Sequence, residues 1–490
     1  MQEMKQIFLH PRFPVRCICV TAIVFAATFS VFYPIPAIVS SISLVILFIL
    51  FLKPELSLYL LLILLHLLYI YFTYTTPDRT CILMLFEVYV VMVFSMWCFS
   101  RMANLIRPYP GTSCDLTLMV LAGLSLVSLL WSHDQVNGVI QLFRLFIALS
   151  TFVLIVSIVS HHRILNTIIW LVILMGVLNS ILCFISIHTF PDYQRAGLFH
   201  YGHNFDLSIR FNVEEVGNRG HGLSHPLTTA YWLNIALIFS FGKFMTIKGK
   251  KKFILGLFML FMLTAHLTTL AKMPLLALIA GILFLFYFLR PIKRKILMAI
   301  VILFVCIGLS FALVHLTKIK DPLSFITRQL TTSIGDTSVS YRLLWWLPVI
   351  SKSLENYGMG VGIGGALKYL GGPFIVQHPH SIYVSVLGEL GMMGFILLLI
   401  ILYLALMTYF KALKECKSEY YRRILLTYIA GFIVVIINGF TDFDYLVNLL
   451  WWYIGLGFAL VKLARESPYG DREESLPFFK DKQSICCAGN

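Results

Sequence analysis

From about residue 15 to residue 463 the sequence is a succession of apolar runs broken by short stretches rich in Gly, Pro and charged residues. A helix of roughly 20 apolar residues spans the ~30 Å hydrocarbon core of a bilayer. Of the 490 residues, 59% are hydrophobic and only 12% charged, more apolar surface than a soluble core can hide. Because the runs extend from end to end, a soluble enzyme on a single anchor is excluded. The chain is a polytopic membrane protein.

The breakers divide the sequence into about fourteen segments of spanning length. They lie near residues 15–32, 35–52, 56–74, 80–99, 115–131, 139–159, 164–187, 225–242, 253–270, 273–289, 296–316, 392–410, 424–440 and 445–463. The first two are joined by Tyr33-Pro34-Ile35-Pro36, and merging or dropping a pair there leaves twelve. The expected fold is therefore an all-α polytopic membrane protein with about 12–14 transmembrane helices and two long loops on one face. Its expected parts are N-terminal membrane helices (1–187), a first long loop (188–224), central membrane helices (225–316), a second long loop (317–391), C-terminal membrane helices (392–463) and a tail (464–490).

Charge orients the chain. With the N-terminus in the cytoplasm, Lys243 and Lys248–Lys252, Arg290–Lys295, Lys411–Arg423 and the C-terminal tail all fall on the cytoplasmic side, as the positive-inside rule requires. Both termini are expected inside and both long loops outside. The net charge of +15 belongs to this bias rather than to a nucleic-acid partner. Most of the ten cysteines lie in apolar runs, where Cys acts as a small hydrophobe, and no CxxC pair marks a zinc or redox site. The terminal Cys487-Ala488-Gly489-Asn490 lacks the aliphatic residues of a prenylation box. The first apolar run has no small-x-small cleavage site followed by a soluble domain and reads as a span.

The basic residues that break the bias carry the functional argument. In the first outer loop, residues 203–214 alternate apolar and polar, a strand pattern, and contain Arg210. Arg219 follows, where Gly and Pro turn the chain into the next span. Lys272 lies in the outer turn Thr268–Pro274, and Arg144 lies within a span, where a charge needs a partner. In the second loop, Ser338–Leu347 has the pattern of an amphipathic interfacial helix and contains Arg342. Gly360–Gly365 formally fits GxGxxG, but without a preceding strand it reads as a connector that lets backbones approach closely.

Then comes Gln377-His378-Pro379-His380-Ser381 and an apolar run with Glu389 and Gly388, Gly391 and Gly394. Pro379 suits the first turn of a helix, which would leave His380 at the helix N-terminus with its imidazole neutral. A helix from 380 to 410 is too long for one span, so the glycines predict a break, with a short outer helix over 380–390 and the span from about 392. Glu389 reads as a structural hydrogen-bond partner of a neighbouring helix. Clustered guanidinium and ammonium groups at a bilayer surface suit a lipid-linked phosphate or pyrophosphate, and a neutral His beside them suits transfer to a hydroxyl. With no D-x-D pair in the two long outer loops, a divalent metal is not indicated, and no cofactor is expected.

Four local patterns, in order, carry a resemblance: Trp131-Ser132 before an Arg-containing span, Thr269–Leu276, Ser340-Tyr341-Arg342 followed by Gly360-Val361-Gly362, and His378–Ser381 with Glu389–Gly394. Over roughly residues 125–450 the chain resembles the O-antigen ligase family, which shares its fold with O-antigen polymerases. The resemblance implies a GT-C-like fold in the bacterial inner membrane. It implies inverting, metal-independent glycosyl transfer at the periplasmic face, from an undecaprenyl-pyrophosphate-linked glycan to a lipid A-core sugar hydroxyl. His380 would be the base. Arg342 and Lys272 would bind the pyrophosphate, with Lys in place of the family's Arg at 272. Arg219, Arg144, Arg210 and His378 would be further contacts. The alternatives are a polymerase on the same fold, an oligosaccharyltransferase with a protein acceptor, and a transporter using polar residues near Asn438, Asp442 and Asp444.

Overall fold

The computed structural model describes residues 53–66, 70–75, 80–102, 108–189, 196–201, 205–209, 222–223, 226–269, 271–288, 337–369, 379–441, 445–446 and 448–466. The expected spans at 15–32, 35–52 and 296–316 lie outside them. The described helices are α1 (Pro54–His66), α2 (Leu85–Met102), α3 (Asp115–Ser128), α4 (Gln135–Ile158), α5 (His162–Thr189), α6 (Pro226–Thr246), α7 (Lys250–Thr268), α8 (Lys272–Phe288), α9 (Thr337–Glu355), α10 (Ile382–Glu415), α11 (Glu419–Asn438) and α12 (Asn448–Glu466). Among the described residues, six of these helices are long and apolar enough to cross a membrane: α2, α4, α5, α7, α10 and α11. The protein is a helical, multi-pass membrane protein.

Two expected spans are shorter than the hydropathy suggests. The 56–74 segment is helical only to His66, and the 80–99 segment becomes helical only at Leu85. Between them lie β1 (Ile70–Thr75) and β2 (Thr80–Met84). They join β3 (Ala196–Tyr201) and β4 (Phe205–Ile209) in an antiparallel sheet of order β2-β1-β4-β3, with Ile70 opposite Ile209. The β-branched and aromatic residues of Ile70-Tyr71-Phe72-Thr73-Tyr74-Thr75 are as apolar as a helix but favour extended backbone. β4 falls within the alternating 203–214 stretch, as its period-2 pattern predicts.

Small residues set the helix spacing, as expected where lipid removes the hydrophobic drive for helices to associate. Gly176 of α5 faces Ala236 of α6 and Met262 of α7, and Gly455 of α12 faces Phe152 of α4. The contacts also order the helices. Asn234 of α6 donates to the Pro274 carbonyl of α8 (2.7 Å), and Gly281 faces Ile238, so α6 and α8 run parallel. Gly242 faces Thr427 and Gly431 faces Ile238, so α11 runs antiparallel to both.

The bundle therefore has two distinct ends. At one end Lys243 donates to Asn166 and to Tyr420 (3.1 Å), Arg423 donates to the Met245 carbonyl (2.7 Å), and Arg465 meets Glu415 (3.4 Å). This end collects the basic loops Lys243–Lys252 and Lys411–Arg423. At the other end lie the start of α8 at Lys272, the end of α11, and the start of α10, whose Ile382 N–H donates to the Gly439 carbonyl (2.9 Å).

Candidate functional site

The site is built on the break in α10. The helix runs from Ile382 to Glu415, but Gly391 within it is non-helical at φ 67° and ψ −163°. Unbroken, its 34 residues would extend about 50 Å, well beyond a bilayer core. The break falls within the expected glycine set. It leaves a short segment, Ile382–Leu390, before the long one.

The glycine-rich loop closes on that break. Val361 N–H donates to the Gly388 carbonyl and Gly362 N–H to the Glu389 carbonyl, both at 2.9 Å, and Met392 N–H donates to the Gly358 carbonyl (2.8 Å). A Cβ on Gly391 would lie 2.5 Å from the Met359 carbonyl carbon and 2.7 Å from Gly360 N. The other side of the loop is clamped by the α3–α4 corner. Ser132 Oγ donates to the Ile363 carbonyl (2.8 Å), Ser128 Oγ accepts from Ile363 N–H (3.1 Å), and Asn137 donates to the Gly364 carbonyl (2.7 Å). A Cβ on Gly362 would lie 2.7 Å from both Ser128 O and Ser132 N. The glycines are thus a crossing point for three backbones, which is the close approach anticipated for a connector.

His380 stands just before the short segment. Its backbone is left-handed, at φ 53°, a conformation that strains a non-glycine residue. Ser381 caps the helix, accepting from Val384 N–H (3.4 Å). Pro379 consequently lies before the cap and not in the first helical turn, correcting that expectation: the left-handed residue at 380 cannot belong to the helix.

Helix α9 brings the arginine. Trp346 donates its indole N–H to the Pro379 carbonyl (2.8 Å), and Arg342 lies one helical turn earlier on the same face. Burial, and then the nearby Arg342 guanidinium, push the His380 imidazole down to about 4. It is neutral at physiological pH, as expected, although the causes are burial and Arg342 rather than a helix terminus.

Lys272 opens α8 at this same end of the bundle. Arg144 pairs with Glu87 (3.0 Å), whose other oxygen accepts from Met84 N–H (2.9 Å). This supplies the partner that its position within a span demanded. Glu389 is buried and accepts from the Tyr445 hydroxyl (2.9 Å), and the Tyr445 carbonyl is in turn held by the Trp451 indole (2.7 Å). Arg210, Arg219 and His378 lie outside the described residues, as do Asp442 and Asp444. Among the described residues no group of three or more His, Cys, Asp or Glu side chains assembles a metal ligand set.

Sequence reasoning missed the serine clamp, the Trp346–Pro379 bond and Tyr445 as the partner of Glu389. The only signal for these was the placement of Ser128, Ser132 and Asn137 at a helix corner, which by itself reads as capping.

These contacts define a multi-pass membrane protein whose neutral histidine and its arginine sit at the bundle end opposite the basic loops. Residues 257–399, which include Lys272, Arg342, His380 and the α10 break, match the family model described as O-antigen ligase (Wzy_C). No curated protein matches the chain.

Proposed function

We propose that the protein is an O-antigen ligase of the bacterial inner membrane. The end bearing the basic loops is cytoplasmic, and both termini lie on that side. The end bearing His380 and Arg342 faces the periplasm. The donor is an undecaprenyl-pyrophosphate-linked glycan and the acceptor a sugar hydroxyl of the lipid A core.

The reading rests on the pairing of a neutral, buried His380 with Arg342 inside the matched domain. The acceptor hydroxyl gives its proton to the imidazole while its oxygen attacks the anomeric carbon. The bond from that carbon to the pyrophosphate oxygen breaks, and the electron pair leaves with the pyrophosphate. A single displacement of this kind inverts the anomeric centre. Arg342 and Lys272 meet the departing charge, so the transfer needs no metal ion. Arg219, Arg210 and His378 are further donor contacts, and Arg144, already paired with Glu87, is a peripheral one.

An imidazole held near 4 is a weak base in the free protein. Donor binding relieves the smaller of the two causes, the Arg342 charge. The pyrophosphate charge offsets that of Arg342 and raises the basicity of His380 when the acceptor is in place.

The test is His380→Asn, because Asn tolerates left-handed backbone and so preserves the turn. We expect an unchanged melting temperature and a loss of transfer of about 10²–10⁴-fold. On a lipopolysaccharide gel, cells carrying only this variant should show bare core with polymer left on its carrier. Core carrying one repeat would indicate a polymerase instead, and normal capping would remove His380 from the mechanism.

A further inference from the structure

The short segment of α10 lies along the turn that follows α11. Ile382 N–H bonds to the Gly439 carbonyl at one end of this contact, and Glu389 bonds to Tyr445 at the other, both at 2.9 Å. Between them, Tyr383 donates its hydroxyl to the Ile436 carbonyl (2.9 Å). Ser385 lies one turn beyond Ile382 and one turn before Glu389, so it shares the face that meets this turn. The turn carries Asn438, the last residue of α11, and Thr441, whose N–H donates to the Asn438 carbonyl (3.0 Å).

All three side chains are buried: Ser385 and Asn438 are 1% exposed and Thr441 9%. Yet Ser385 Oγ, Thr441 Oγ1, and both Nδ2 and Oδ1 of Asn438 have no hydrogen-bond partner among the described residues. Buried polar groups are nearly always satisfied, and an amide with both ends unpaired, on a turn that carries a second such group and packs along the segment that carries a third, is an unusual concentration. The cluster adjoins the catalytic turn. Ser385 N–H donates to the Ser381 carbonyl (2.9 Å), and Asn438 and Thr441 flank the Gly439 carbonyl that holds Ile382. Their chemistry selects the ligand. None is charged, so they do not duplicate Arg342 and Lys272 in holding phosphate. Together they offer both donors and acceptors, the complement of the hydroxyls on a sugar ring.

We propose that Ser385, Asn438 and Thr441 form a hydroxyl-binding subsite that holds a sugar ring of one of the two glycans beside His380. The proposal rests on the glycosyl-transfer reading above. The ring belongs either to the accepting core sugar or to the sugar being transferred.

The test is steady-state transfer by the full-length protein in lipid nanodiscs, with undecaprenyl-pyrophosphate-linked glycan and lipid A-core varied independently. Asn438→Ala should raise KM for one of them by about tenfold, because a hydroxyl then loses its partner. Thr441→Val and Ser385→Ala should raise the same KM by about three- to tenfold. Melting temperatures of Thr441→Val and Ser385→Ala should stay level or rise, since these near-isosteric changes remove no intramolecular hydrogen bond. A higher acceptor KM assigns the subsite to the core sugar, and a higher donor KM assigns it to the transferred sugar. Unchanged KM values for both glycans overturn the proposal and leave these groups to ordered water. If Asn438→Ala does not fold, the near-isosteric Thr441→Val and Ser385→Ala decide by the same criterion. His380→Asn is run alongside. If the wild-type protein transfers no glycan, the glycosyl-transfer reading fails; if His380→Asn keeps its turnover, only the role of His380 fails. If it is inactive while the three subsite variants behave as wild type, only the subsite fails.

Discussion

Gly391→Ala offers a direct test of how the site is built. At φ 67° and ψ −163° the residue occupies backbone space open essentially to glycine, which costs another residue about 1–3 kcal/mol. The added methyl would also lie 2.5 Å from the Met359 carbonyl carbon and 2.7 Å from Gly360 N, with the Gly358 oxygen closer still. Overpacking of this kind adds about 1–3 kcal/mol. The obstructing atoms are backbone, held by the Val361–Gly388 and Gly362–Glu389 hydrogen bonds, so they yield only if those bonds break, at about 1 kcal/mol each. These terms overlap, because a shift that relieves the clash gives up the bonds. The expected loss is about 3–5 kcal/mol, a large part of a domain's typical ~5–15 kcal/mol. Gly123→Ala is the control. It lies in α3 with no atom within 4 Å of its added Cβ, and Ala is the better helix former by about 1 kcal/mol. Thermal melting in detergent, followed by size exclusion, should place Gly391→Ala several degrees below wild type and Gly123→Ala at or above it. A wild-type melting curve for Gly391→Ala would refute the backbone crossing. So would an equal fall in both variants, since that would implicate glycine loss in general.

Three further outcomes are expected. Burial first and the Arg342 charge second hold the His380 imidazole down, so Arg342→Gln removes the smaller cause and raises its pKa part of the way from about 4 toward the ordinary value. The neutral imidazole is the base and low pH disables it, so the acid limb of kcat/KM should move to higher pH, with turnover reduced about 10²-fold or more; an unmoved limb would deny the coupling. Glu389→Ala should cost about 1–3 kcal/mol by removing the buried acceptor of the Tyr445 hydroxyl, while Glu389→Gln keeps an acceptor and most of the stability, both retaining kcat. A large fall in kcat for Glu389→Gln would make the carboxylate catalytic. Arg144→Ala leaves the buried Glu87 uncompensated and should destabilise by about 3–5 kcal/mol, with Glu87→Gln restoring most of it in the double variant. Without such rescue in melting measurements, the pair is not what holds α2 to α4.

Several elements were legible because their cause is local. The excess length of the run from residue 380 to 410, together with its glycines, predicts the break that occurs at Gly391. The alternation in 203–214 predicts β4. The carboxylate at 389 and the guanidinium at 144 had to be paired at their depth, and both are. The partners, Tyr445 and Glu87, were not legible: each lies 56 or 57 residues away in sequence, and nothing local distinguishes them from other polar residues. Nor was the extended conformation of 70–75, because hydropathy alone does not separate a strand from a helix in so short an apolar run.

The sequence by itself determined that the chain lives in a bilayer, how its charged loops sort, and which His, Arg and Lys stand apart from that sorting. These follow from transfer energies and helix length, which each segment settles alone. Only the tertiary structure decided that Trp346 ties α9 to Pro379, that the serines of one helix corner clamp the glycine loop, and that Arg342 comes close enough to depress His380. Those contacts join segments far apart in the chain. They arise only after packing brings the backbones to a distance that glycine alone permits.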